Sequence, residues 1–359
     1  VPKDPNHPRP LRLLIVLPSW VGDAVMATPT LREIRGAFPG IFIGGLVRPG
    51  IDQVLAGSGL LDEFHIEHPT GVLGPKFAAA RLRPRRYDTA LLLTNSFSTA
   101  LITRIAGIPR RIGYNRDARG ILLTDMIDPA RRADGRYAPV PAVEYYLRLA
   151  RQLLLVDRAG SGVMPMELGM TEEQRRDATA ILDRAGVTDR PFAILNPGGN
   201  KPEKRWPADR FAWLATQLRD RKGMRVLVNG SPGEREIVEA ITSASGPDVV
   251  GLHTLGMTLG SLKGVVARSS LMVSNDTGPR HIAAAFGVPL VSLFGPTDPK
   301  WTTIPHHPNG PEIEVVADPT LPATEVSDDH PERCRIDRIE TGVVWEAVQR
   351  VLAASAARA

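Results

Sequence analysis

The stretch that decides the fold is residues 274–299, SNDTGPRHIAAAFGVPLVSLFGPTDP. It follows the apolar run Leu271-Met272-Val273, which reads as a buried strand. Pro279 stands just inside a helix start, Ile282, Ala283, Ala284, Ala285 and Phe286 continue it, and Gly287 closes it. A second buried strand, residues 290–294, runs into the turn Gly295-Pro296-Thr297-Asp298-Pro299. Strand, tight loop, helix, strand is the repeating unit of a wound parallel sheet. The N–H groups of Thr277 and Gly278, at the positive end of that helix, can hold a phosphate, with Asp276 and His281 flanking the point. The same pattern also suits an ordinary crossover in which Asp276 and Thr277 only cap a helix.

Earlier in the chain the theme recurs. Residues 1–10 form a Pro-rich arm, and residues 11–17 (LRLLIVL) a strand buried on both faces. Residues 18–23 are its exit loop and residues 24–38 have helical spacing, with Pro29 either kinking the helix or marking its first turn behind a Thr28 cap. The dinucleotide fingerprint G-x-G-x-x-G is absent. The loop offers instead one carboxylate, Asp23, at the carboxyl edge where open α/β sheets bind ligands. Taken alone, a Gly-Asp pair is also a common helix cap. Apolar runs at residues 42–47, 59–66 and 87–93 extend the sheet, with Asn95 just beyond the last. Helical spacing returns over residues 143–155, and residues 160–169 read as a linker.

The second half restarts in the same way. Residues 171–184 open with Thr-Glu-Glu, a good helix N-terminus, and residues 192–195 are a strand. Its exit loop is Asn196-Pro197-Gly198-Gly199-Asn200, followed by Lys201 to Pro207 (KPEKRWP), with Pro207 opening a helix to Arg221. Residues 224–229 are the next strand. Glu234, or Glu236, follows it where a carboxylate of a wound sheet can take a ribose hydroxyl pair. Residues 312–316 suit a last strand and residues 343–352 a closing helix. His306 and His307 have no third ligand at metal spacing and read as loop residues.

Composition narrows the class. A length of 359 residues suits two domains, and 43% hydrophobic with 23% charged residues is the balance of a globular protein. One cysteine, Cys334, excludes an internal disulfide framework and a cysteine-based zinc site. No apolar run reaches the length of a membrane helix, and the first residues lack the apolar core of a signal peptide. Residues 81–136 hold twelve arginines against five aspartates, +7 where the whole chain carries +5. That surplus suits an anionic partner. A nucleic-acid binder is the rival reading of the same charge, but no recognised module is present and aromatics are 5% of the chain.

Four motifs in order resemble those of the heptosyltransferases of bacterial lipopolysaccharide synthesis, glycosyltransferase family 9. They are SWVGDAVMATP at residues 19–29, the Gly-rich loop with Lys204 ahead of Trp206-Pro207, DTGPRHIAAA at residues 276–285, and LFGPTDP at residues 293–299. The resemblance spans both halves. It implies an α/β GT-B fold: an acceptor-binding Rossmann-like domain over residues 1–165, a nucleotide-sugar domain over residues 166–335, and a C-terminal helix, residues 336–359, leaning back towards the first domain across a central cleft.

The roles that follow are implied by the resemblance. Asp23 is the general base and Lys204 binds the leaving diphosphate, with Lys201 a competitor. Asn196, Gly198, Glu234, Met257, Asp276, Thr277, Gly278 and His281 hold the donor. Ser19, Trp20, Asn95 and Arg116 or Arg119 hold the acceptor. The expected donor is ADP-heptose, with no required cofactor, no resident metal, and room for a Mg²⁺ effect in solution. The expected acceptor is the lipopolysaccharide inner core, met by peripheral contact at the cytoplasmic face of the inner membrane, with no nucleic acid involved. The Pro-Ser-Trp-Val-Gly-Asp loop leans towards the enzymes adding the second heptose. Arg280 departs from the aliphatic or small polar residue more usual before the histidine, which leaves another nucleotide sugar open. A non-catalytic nucleotide-binding protein is the other alternative.

Overall fold

The computed structural model describes residues 10–153, 164–187 and 190–357. Nearly all of the expected N-terminal arm and the first part of the 160–169 linker lie outside the described residues. The chain divides into two compact units, Val1–Gly169 and Met170–Ala359.

The first unit is built on β1 (Arg12–Val16), β2 (Phe42–Val47), β3 (Glu63–Ile66), β4 (Thr89–Leu92), β5 (Arg110–Tyr114) and β6 (Asp125–Ile127). They form one parallel sheet in the order β3-β2-β1-β4-β5-β6. The second unit carries β7 (Phe192–Asn196), β8 (Arg225–Val228), β9 (Val249–Gly251), β10 (Leu271–Asn275), β11 (Leu290–Phe294) and β12 (Glu312–Val316). These are also all parallel, in the order β12-β11-β10-β7-β8-β9. Counted from its own first strand, each sheet therefore has the doubly wound order 3-2-1-4-5-6, and its direction of winding reverses between first and fourth strands. Those reversals, between β1 and β4 and between β7 and β10, leave a crevice at the carboxyl edge of each sheet.

The central strands read as unbroken apolar runs because helices cover both faces. Leu14 of β1, for example, is fully buried beside Gly44 on one flank and Ala90 on the other. Three strands escape a reading by apolar runs. β5 opens on Arg110-Arg111, while β6 and β9 are three residues each. The expected run over residues 59–66 shortens to β3, since Gly59 has φ +69° and belongs to a turn. The helix expected over residues 24–38 is two helices, Val21–Met26 and Thr28–Ala37. Pro29 sits in the first turn of the second, and Thr28, expected as its cap, instead donates its hydroxyl to Val25 O at 2.7 Å.

In the second unit the helix Ala208–Lys222 and the last helix, Thr341–Ala356, pack on the sheet. The last helix buries Val344, Ala347, Val348 and Val351 in the core of the second unit. Trp206 anchors this corner. It is 1% exposed, meets Phe211 edge-on at 5.0 Å, and donates its indole N–H to Ile339 O at 2.8 Å. Trp206→Ala is expected to cost about 3–5 kcal/mol, the range for emptying a buried indole site, read as a lower urea midpoint for the second unit.

Candidate functional site

Each switch point gathers polar side chains, and the two are described separately. In the first unit, Asp23 lies in the opening turn of the helix Val21–Met26, directly after the loop that leaves β1. It is half-buried, and the Tyr146 hydroxyl donates to its Oδ1 at 2.9 Å. Tyr146 is 5% exposed, and burial together with the Asp23 charge holds its phenol pKa well above the ordinary value. It therefore stays a hydrogen-bond donor at any pH the protein meets. Ser19 and Trp20 are exposed beside this helix start.

Asn95 follows β4, on the other side of the reversal. Its Oδ1 accepts from Tyr145 Oη at 3.0 Å and from Arg119 Nη2 at 3.2 Å. With the oxygen so occupied, the amide NH₂ is left as the outward donor; it has no partner among the described residues. Tyr145 and Tyr146 are neighbours on the helix Ala142–Leu153, so one turn of helix positions a residue at each flank of the crevice. Tyr145 also stacks on Tyr114 at 3.8 Å. The sequence reading missed both tyrosines. Their signal was two adjacent amphipathic rings, each carrying a polar handle, on a helix near the end of the first domain.

Arg119, expected as an acceptor clamp, is corrected by the structure. It is fully buried and donates to Tyr114 O, Thr94 O and Asn95 Oδ1. Burial lowers its pKa to about 10, so it stays charged at neutral pH while its donors are turned inward. Its donors are spent on two backbone carbonyls and on Asn95, which it holds from behind. Arg116 is half-buried, its guanidinium 3.8 Å above the Tyr137 ring and its Nε 3.6 Å from Asp117 Oδ1. It lines a cavity of ≈ 550 Å³ with Asn115, Asp117, Asp128, Arg131 and Tyr137.

In the second unit the Gly-rich loop is fixed from three sides. Asn275, fully buried at the end of β10, donates its amide to Pro197 O at 2.8 Å and Gly198 O at 3.1 Å. Arg205 clasps Gly199 O with two donors at 2.8 and 2.7 Å, and Glu234 Oε1 accepts from Gly199 N at 2.8 Å. A Cβ on Gly198 would stand 2.2 Å from that Glu234 oxygen, so a side chain there would displace the Glu234 brace. Glu234 Oε2 is meanwhile held by Ser231, so the expected ribose carboxylate also braces the loop. Lys204 ends a short turn, Pro202–Lys204, half-buried, its ammonium without a hydrogen bond or ion pair to any described residue. Its rival Lys201 is exposed, 3.9 Å from Glu203.

Across the reversal, Thr277 and Gly278 open the helix Gly278–Ala285, and their N–H groups donate to no described residue. Asn196, expected to touch the donor, is 3% exposed. Its amide donates to Ser274 Oγ and Thr277 Oγ1, and its oxygen accepts from Asn229, so it holds Thr277 from below. Met257 is half-buried in the loop ahead of the helix Leu259–Val266. His281 is 2% exposed, with Nδ1 unpartnered among the described residues. Burial and the Arg280 charge push its pKa well below the usual value, so it serves as a neutral imidazole.

Arg280 is also fully buried, so it acts on a ligand only through its neighbours. It donates to Asp276 Oδ1 at 3.2 Å, to Ser292 Oγ at 2.9 Å and to Thr302 O at 3.0 Å. It also pairs with Glu312 at 2.8 Å and Glu314 at 3.4 Å. Burial and the Glu312 charge raise the Glu314 pKa. Asp276, which also accepts from Thr302 Oγ1 at 3.1 Å, is thereby fixed beside the free N–H pair.

A family model described as glycosyltransferase family 9 (heptosyltransferase) matches residues 78–334. Lipopolysaccharide heptosyltransferase 2 of Escherichia coli (strain K12) is 30% identical over 302 residues, 81% of this chain and 85% of that protein. The protein of the same name from Salmonella typhimurium (strain LT2) is 31% identical over 304 residues, with the same two coverages. The solved structure of E. coli ADP-heptose LPS heptosyltransferase II matches with a TM-score of 0.78 at 25% identity, over 96% of this chain and 99% of that one. The expected GT-B fold, two Rossmann-like α/β units, is the fold found.

Arg280→Leu removes a fully buried cation and leaves the half-buried carboxylates of Asp276 and Glu312 without it. It is expected to cost about 3–5 kcal/mol, measured by urea unfolding.

Proposed function

The chain belongs to glycosyltransferase family 9, the heptosyltransferases, and from that premise we propose that it transfers heptose from ADP-heptose to the inner core of lipopolysaccharide. The observation that carries the donor half is the pairing of two unused N–H groups, at Thr277 and Gly278, with an unpartnered Lys204 in the same unit. An N–H pair at a helix start and a lysine are the groups that hold a diphosphate. Asp276 lies beside them for sugar hydroxyls, while Glu234 and Met257 are assigned to the ribose and adenine.

The acceptor half follows from Asp23. As general base it takes the proton of the acceptor hydroxyl while that oxygen bonds to the anomeric carbon from the face opposite the diphosphate. The bond from the anomeric carbon to the phosphate oxygen breaks, its electron pair leaves with ADP, and the configuration inverts. Lys204 and the N–H pair balance the charge that develops, with no cofactor or resident metal assigned. Tyr146 is a positioning residue for the base, and Asn95, Ser19, Trp20 and Arg116 are assigned to the acceptor. A lipid-anchored acceptor places the reaction at the cytoplasmic face of the inner membrane.

Arg280 favours one second reading, a family transferase for another nucleotide sugar, because it sets the Asp276 carboxylate in this chain's own way. Turnover with ADP-heptose against other ADP- and UDP-sugars separates the two. In that assay Asp23→Ala is expected to lower kcat about 10²–10⁴-fold, the worth of a general base, with ADP affinity kept. If both turnover and ADP binding survive, Asp23 is only a first-turn carboxylate of its helix. Tyr146→Phe removes a bond that favours the ionised carboxylate, so the acid limb of kcat/KM is expected to move to higher pH. An unmoved limb with lower stability would leave Tyr146 a purely structural role.

A further inference from the structure

Away from both switch points, the first unit carries an apolar tip on a basic helix. Val72 is 97% exposed, Leu73 58% and Phe77 59%. They lie where the loop leaving β3 enters the helix Gly74–Leu82. Single exposed apolar residues are ordinary, but large ones side by side mark an interaction surface.

The charge around them says what kind. Residues 72–86, VLGPKFAAARLRPRR, contain Lys76, Arg81, Arg83, Arg85 and Arg86 and no acidic residue. Leu73, Lys76, Phe77, Ala80 and Arg81 share one helical face and are all exposed, whereas Ala78, Ala79 and Leu82 pack into the core of the unit. Arg81 and Arg85 are engaged by Glu67 and Glu63, and Arg83 donates to Ile105 O. Lys76 and Arg86 form no ion pair with any described residue.

We propose that this element, residues 72–86, docks the first unit on an anionic lipid bilayer. Val72, Leu73 and Phe77 enter the boundary between headgroups and acyl chains, and Lys76 and Arg86 face lipid phosphates. A second copy fits less well, because it would bring two cationic faces together. The loop bearing Val72 and Leu73 leaves the same sheet edge as the loop bearing Asp23, two positions along the order β3-β2-β1, about 10 Å at the usual strand spacing. Only the link from this docking to a lipid-anchored acceptor rests on the functional reading above; lipid binding itself does not.

The test is flotation of the full chain with vesicles of phosphatidylcholine alone and of phosphatidylcholine mixed with phosphatidylglycerol. Binding is expected on the mixed vesicles, weakening as salt is raised. Replacing Val72, Leu73 and Phe77 together by serine is expected to reduce it roughly tenfold or more. The pair Lys76→Glu and Arg86→Glu should reduce it by roughly an order of magnitude. Circular dichroism and melting check that these surface variants fold, and the charge pair provides a second route should the serine variant fail. Absence of binding, equal binding to neutral vesicles, or indifference to both sets of changes would overturn the proposal. So would a dimer, dispersed by the serine changes, in a chain that ignores vesicles. Vesicle binding by a chain that transfers no heptose would contradict the functional reading alone. Transfer to a water-soluble acceptor by a chain that ignores vesicles would contradict this proposal alone.

Discussion

The side-chain amide of Asn275 ties together the two strands that part at the second unit's switch point. Its NH₂ satisfies the carbonyls of Pro197 and Gly198, and its oxygen accepts from Trp206 N at 3.3 Å. One buried residue at the end of β10 thus fixes both the loop after β7 and the segment presenting Lys204. Buried carbonyls left unpaired would each cost about 1–3 kcal/mol, so the loop has one favourable seat. The geometry of the candidate site depends on that seat: the glycines, the Glu234 brace and the N–H pair are arranged around it.

The first unit solves the same problem with different residues. Its crevice also lies between two parting strands, but the braces are the buried Arg119 behind Asn95 and Tyr146 behind Asp23. In both units a buried polar group holds a half-buried one in place, and the half-buried group faces solvent. This division explains why Arg119 and Asn196 read as ligand contacts in sequence and are found one layer behind. Motif matching identifies the cluster, whereas burial decides which member can touch a ligand.

Much of the fold was legible because central parallel strands are apolar along their whole length and Pro and Gly punctuate the helices. The stretch from Leu271 to Phe294 was read almost residue for residue, including the helix that Gly278 opens and Gly287 (φ +68°) ends. β5 was not legible, because Arg110 and Arg111 read as surface charge and only Ile112, Gly113 and Tyr114 enter the core. Fully buried arginines are also invisible to composition, since the type is almost always exposed. Two of the partners of Arg280, Glu312 and Glu314, lie on β12, more than thirty residues away. No local pattern announces such a pairing. The adjacent tyrosines of the helix Ala142–Leu153 carried a local signal, but the partners that define their roles, Asn95 and Asp23, lie 50 and 123 residues away.

The central claim is that the second unit holds an adenosine diphosphate on Lys204 and the Thr277–Gly278 N–H pair. Calorimetric titration of the chain with ADP, UDP and GDP, without added metal, addresses it most directly. The account predicts binding of ADP in clear preference to the other two. Preference for UDP or GDP, or no binding of any, would contradict it.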